Sequence, residues 1–146
     1  MRFRRSHDEM NPLKDMWTLD GSAVQRFLQM VSTEETAIPR EPRTGLLMME
    51  ARDCFDTDFY VGELLVTEAE VVCAGQRGYA MVLGDDSARA VALAAVDALQ
   101  RCENTDLKKQ AEEFLAAESA RTARKQERER RLIATTKVSF EGMAKR

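Results

Sequence analysis

Three observations predict an α+β fold: a central run of strand-like segments, helical periodicities on both sides of it, and a charge reversal toward the C-terminus. The expected architecture is a three-stranded antiparallel sheet packed by helices, with a helical C-terminal arm. In 146 residues this amounts to one domain plus an extension. A compact α+β body with N-terminal helices is expected over 1–103, and a C-terminal helical arm with a docking tail over 104–146. A chain of this size buries ~70% of its unfolded surface, so it needs no metal or disulfide staple.

Pro12 opens a short helix running through Leu13, Met16 and Trp17. Asp20-Gly21-Ser22 then caps a second helix, with Val24, Phe27, Leu28 and Val31 at i, i+3, i+4, i+7. Pro39 and Pro42 end the helical reading and force an extended entry into the first strand. Residues 44–52 read as that strand, and Asp53 to Asp58 supply turn chemistry. Phe59 to Cys73, rich in β-branched and aromatic residues, reads as one long strand with a break near Glu68-Ala69. Gly75-Gln76-Arg77-Gly78 reads as a hairpin turn, and Tyr79 to Leu83 as the third strand of an antiparallel meander.

Gly84-Asp85-Asp86-Ser87 opens a helix in which only Arg89 and Asp97 are polar between Ala88 and Leu99. A helix apolar nearly all round is buried on more than one side. One side covers the sheet; the other requires another helix of this chain or a second chain, which makes Ala92 and Ala95 candidate partner contacts. After Asn104-Thr105-Asp106 a long helix begins, with Leu107, Ala111, Phe114 and Leu115 on one stripe. The stripe stops at Glu118. Arg121, Arg124, Lys125, Arg128 and Arg131 then share one face, and Leu132, Ile133, Val138 and Phe140 restore apolar character at the end. Those four are candidate partner contacts, since an apolar patch beyond a polar arm fits docking better than a core.

Net charge is −3, with −7 over residues 1–100 and +4 over 101–146. An acidic body with a basic extension suits a protein that docks its arm onto something else, and it argues against a generic nucleic-acid binder. No run of eighteen apolar residues is present, so no membrane span is expected. Cys54, Cys73 and Cys102 form no CxxC pair and fit a reducing cytoplasm. The single histidine, His7, has no neighbour to orient it, so no histidine-based catalytic dyad or metal site is expected.

The remaining chemistry-bearing residues have plain structural readings beside functional ones. Gly75 to Gly78 is only GxxG and is followed by a strand, which disfavours a phosphate loop. Glu63, Glu68 and Glu70 could serve as acid–base carboxylates or hard-metal ligands, but also as the wet face of a half-buried strand. Asp85 and Asp86 are explained by helix capping. Gly62 implies a bulge or a close approach within a strand. The basic face of 121–131 either holds an anionic partner surface or is a solvated face with intrahelical pairs such as Glu127–Arg131. No catalytic, cofactor-binding or metal residue stands out.

Several segments occur in an order that resembles the PhnG family, the small G subunit of the bacterial carbon–phosphorus lyase system. They are Thr44-Gly45-Leu46, Ala51-Arg52-Asp53, Phe59 to Ala69 (with Gly62, Glu63 and Thr67), Gly78-Tyr79, Val82-Leu83-Gly84-Asp85, and the Ala-rich helix ending Val96-Asp97-Ala98-Leu99. Ala134-Thr135-Thr136-Lys137-Val138-Ser139-Phe140 is similar to the family's closing element, from which the chain departs at Glu141-Gly142.

The resemblance implies a role in organic phosphonate catabolism. It points to a non-catalytic or accessory subunit without a cofactor of its own, supporting the step in which a phosphonate displaces adenine from ATP to give ribose 1-phosphonate 5-triphosphate. It also implies the I, H and J subunits as partners. The residues themselves fit a cytoplasmic location, an arm that packs on a symmetry mate in a homodimer in isolation or on the I-type subunit, and neither nucleic acid nor membrane as a partner. Two other readings remain: a self-contained dimeric module binding a phosphorylated ligand through Arg121–Arg131, and a small phosphonate- or nucleotide-transforming enzyme using Glu63 and Arg52.

Overall fold

Residues 11–33, 36–103 and 106–135 are described by the computed structural model. Two short helices lead: α1 (Pro12–Thr18), with the Asn11 side chain accepting from the Lys14 amide, and α2 (Gly21–Val31), with Asp20 accepting from the Ala23 amide. Three strands come next, β1 (Thr36–Arg52), β2 (Asp58–Cys73) and β3 (Gln76–Leu83), in the antiparallel order β1-β2-β3. Helices α3 (Ser87–Arg101) and α4 (Asp106–Thr135) complete the chain. The α+β fold with a three-stranded meander and a long C-terminal helix is the one the sequence predicts.

Strand β1 begins earlier than expected, before Pro39. It is an edge strand, where a missing N–H costs no ladder bond, and the register shifts between Ala37 and Arg43 absorb both prolines. Strand β2 runs unbroken through Glu68-Ala69, because both residues pair with β3. The β2–β3 turn is Ala74-Gly75, not Gly75 to Gly78: both turn residues have positive φ, at 46° and 77°, and Cys73 pairs with Gln76. That is the two-residue hairpin geometry whose twist matches its strands.

Gly78 therefore lies inside β3, where it serves packing. A Cβ there would overlap the Ala94 carbonyl and the Ala98 amide of α3. The alanines of α3 complete the fit: Ala90, Ala92, Ala94, Ala95 and Ala98 are fully buried. One side of α3 lies on β2 and β3, and α1, α2 and α4 contact it as well. The expectation of Ala92 and Ala95 as partner contacts is thus corrected, since helices of the same chain enclose them. The first half of α4 belongs to this core too, so the body extends past residue 103. Leu107, Ala111 and Leu115 are buried, Phe114 meets Phe27 at 5.9 Å between ring centroids, and the Ser119 hydroxyl donates to Asp15 at 3.0 Å.

Polar groups lock these layers together. The Thr67 hydroxyl, on the core face of β2, donates to the Gly84 carbonyl at 2.6 Å and accepts from the Asp86 amide at 3.2 Å. This ties the sheet to the start of α3. The Arg89 guanidinium donates to the carbonyls of Trp17 (2.9 Å) and Leu19 (3.0 Å), satisfying the open end of α1, and pairs with Asp86.

Candidate interaction surface

The strands differ in length, and this creates the most unusual surface of the molecule. β1 and β2 have 17 and 16 residues, whereas β3 has 8 and pairs with β2 only from Val66 to Cys73. From Leu65 outward the sheet continues as a two-stranded ribbon, Leu46–Arg52 against Asp58–Leu65. A hairpin of this kind is marginal alone in water. Its sequence is also that of a strand buried on both faces: Leu46-Leu47-Met48-Met49 opposite Phe59-Tyr60-Val61 and Leu64-Leu65. These side chains are nonetheless largely exposed, with Leu46 at 64%, Tyr60 at 71% and Phe59 at 48%.

Antiparallel partners share a face, so the register assigns each side chain. Met49 pairs with Gly62 and Glu50 with Tyr60, leaving Val61 as the extra residue of a bulge; Gly62 takes φ +153°, which its missing side chain permits. One face carries Leu47, Met49, Phe59 and Leu64 and continues onto Leu83 of β3; it holds no charge over the ribbon, and the first charges on it are Glu68 and Arg43, beside Met81. The opposite face, on the side that α3 covers farther along the sheet, carries Leu46, Met48, Tyr60 and Leu65 together with Glu50 and Glu63. At the tip, Arg52 grips Asp58 through two bonds of 2.6 and 3.0 Å. Asp53 builds the turn, its carboxylate accepting from the amides of Phe55 and Thr57.

The carboxylates considered for acid–base work divide differently. Glu68 and Glu70 lie on the outer sheet face around a shallow cleft of about 120 Å³ with Arg40, Arg43 and Tyr79. Arg43 reaches Glu68 at 2.9 Å, Arg77 reaches Glu70 at 2.9 Å, and the Tyr79 hydroxyl donates to Glu68 at 3.0 Å. The Tyr79 bond first, then Arg43, holds the Glu68 carboxyl below its ordinary range. Burial and the bond to Glu68 push the Tyr79 phenol up. Glu68, Glu70, Arg43 and Arg77 thus already have partners, as expected for the wet face of a sheet. Glu63 lies apart from them on the ribbon, beside Met48 and away from the Arg52–Asp58 pair. Asp86 caps α3 by accepting from the Arg89 amide at 3.0 Å. Among the described residues no group of three or more His, Cys, Asp or Glu could hold a metal ion.

The distal half of α4 is exposed. Arg121 pairs with Glu118, and Arg130 and Arg131 with Glu127, so part of the basic face is internally matched. Arg124 and Arg128, one turn apart, form no ion pair among the described residues. Leu132 and Ile133 are 60% and 70% exposed; Val138 and Phe140 lie outside the described residues. Gly45 meets no close neighbour, and Gly84 turns the chain at φ +87° while its amide donates to the Leu65 carbonyl. The motif residues Arg52, Asp53, Gly62, Thr67, Gly78, Tyr79 and Gly84 therefore build the ribbon and its anchorage. Sequence reasoning missed Leu46 to Met49 and Phe59 to Val61 as surface residues, because an apolar strand signals burial without saying by what.

No helix among the described residues is long and apolar enough to cross a membrane. The family model described as "Phosphonate metabolism protein PhnG" matches residues 13–146. No curated protein matches the chain at a significant level.

Proposed function

The chain belongs to the PhnG family of phosphonate metabolism proteins, and from that premise we propose that it is an accessory subunit of a carbon–phosphorus lyase assembly. It supports the step in which a phosphonate displaces adenine from ATP to give ribose 1-phosphonate 5-triphosphate. The observation that carries this reading is the projecting ribbon with apolar side chains on both faces. Surfaces of this kind are stable once covered, and large contiguous apolar patches mark protein interaction sites. The uncharged face of the ribbon, formed by Leu47, Met49, Phe59 and Leu64 with Leu83 of β3 at its base, suits the dry centre of a lasting contact with a larger subunit of the I, H or J kind.

The other functional candidates favour the same reading. Arg52 and Glu63, the pair needed by an independent enzyme, belong to separate contacts: Arg52 is engaged by Asp58, and Glu63 stands beside Met48. Adenine release from ATP plus methylphosphonate tests the proposal. The chain alone is expected to give none, whereas the co-expressed subunit set gives release that falls when this chain is omitted. Turnover by the chain alone, abolished by Glu63→Gln, would overturn the proposal.

A further inference from the structure

The ribbon and the arm of α4 are matched in length, charge and exposure, yet α4 packs on α1, α2 and α3 of its own chain, not along the ribbon. Between residues 50 and 63 there are five carboxylates and one arginine, net −4; between 121 and 131 there are six cations and two carboxylates, net +4. Asp58–Leu65 extends ~27 Å at ~3.4 Å per residue, and residues 120–135 extend ~24 Å at ~1.5 Å per residue. The acidic ribbon face, with Glu50 and Glu63 set among Leu46, Met48, Tyr60 and Leu65, is shaped for a basic helix whose arginine stems cover apolar surface while their heads meet carboxylates.

We infer that this face receives the α4 arm of a second copy of the chain. Each ribbon takes the partner's arm across a two-fold axis, so the contact is made twice and the assembly closes as a dimer. A second copy is the occupant that the charges favour, because the chain itself carries both complementary surfaces. Arg124 and Arg128 lie opposite Glu50 and Glu63 in this arrangement. The uncharged face of the ribbon stays open for the accessory role, so the dimer and that role stand or fall separately.

Sedimentation equilibrium of the full chain at low salt tests the inference, with circular dichroism confirming the fold of each variant. The parent is expected to dimerise, and less tightly as salt rises. Glu50→Lys with Glu63→Lys should weaken association at least tenfold, as should Arg124→Glu with Arg128→Glu. An equimolar mixture of these two variants, in which both contacts of a mixed dimer carry opposite charges (native in one, exchanged in the other), should form mixed dimers more tightly than either variant self-associates. A monomeric parent, a dimer insensitive to both reversals, or a mixture no tighter than its components would overturn it. So would a monomeric parent that loses capture of the I-type subunit on reversal at Glu50 and Glu63, which would assign the face to that subunit.

Discussion

Gly78 shows how one residue sets the distance between layers. The backbone of β3 approaches α3 so closely that any side chain at this position would meet main-chain atoms, which cannot rotate away. Gly78→Ala is therefore expected to cost at least ~1–3 kcal/mol, the usual range for an overpacked core, readable as a fall in Tm. An unchanged Tm would show that α3 can shift outward without cost. Asp20 offers a second test, through pH. Its carboxyl is held below the ordinary value by the Ala23 amide and then the Ser22 hydroxyl. A lowered folded pKa means the stabilisation is present above the unfolded value of ~3.9 and is lost as pH falls through the folded one. Asp20→Asn keeps a capping oxygen but cannot titrate, so its Tm should fall less than the parent's between about pH 5 and pH 3. Parallel curves would contradict a charged cap at this position.

At the scale of elements, what could be read from the sequence depended on what the neighbours contribute. The helices carried their own signals: Asp20 and Asp86 as caps, the stripe of α2, and the all-round apolar surface of α3, which called for cover on both sides. The strand ends were less legible. Gly78 resembles a turn residue until its contact with α3 is known, and Pro39 resembles a break until β1 is seen to be an edge. The helical arm was foreseen, but its root in the core was not, since Leu107, Ala111 and Leu115 alone do not reveal which layer they join. Two changes separate root from arm. Leu115→Ala should cost ~2–5 kcal/mol as a buried large-to-small substitution, whereas removing residues 121–146 should leave Tm within a few degrees. If the truncation destabilises as much as Leu115→Ala, the distal helix is part of the fold.

Across the whole molecule, structure divides into a well-packed body and two projections that the body does not cover. The body uses its polar side chains to hold itself together: Thr67 clamps the turn into α3, Arg89 closes α1, and Glu68 is matched by Arg43 and Tyr79. The candidate site was only half legible in the sequence for the same reason. Its basic arm announced itself by charge, but its apolar ribbon looked like core, because hydrophobicity records that a surface is covered and not which chain covers it. The accessory role requires that cover to come from another subunit. Co-purification of the I-, H- and J-type subunits with a chain bearing Leu47→Asp, Met49→Asp and Phe59→Asp is the most direct measurement. All three side chains are exposed in the single chain, so the expected variant folds and melts like the parent but no longer brings the other subunits with it. Undiminished co-purification by a folded variant would contradict that role for the ribbon.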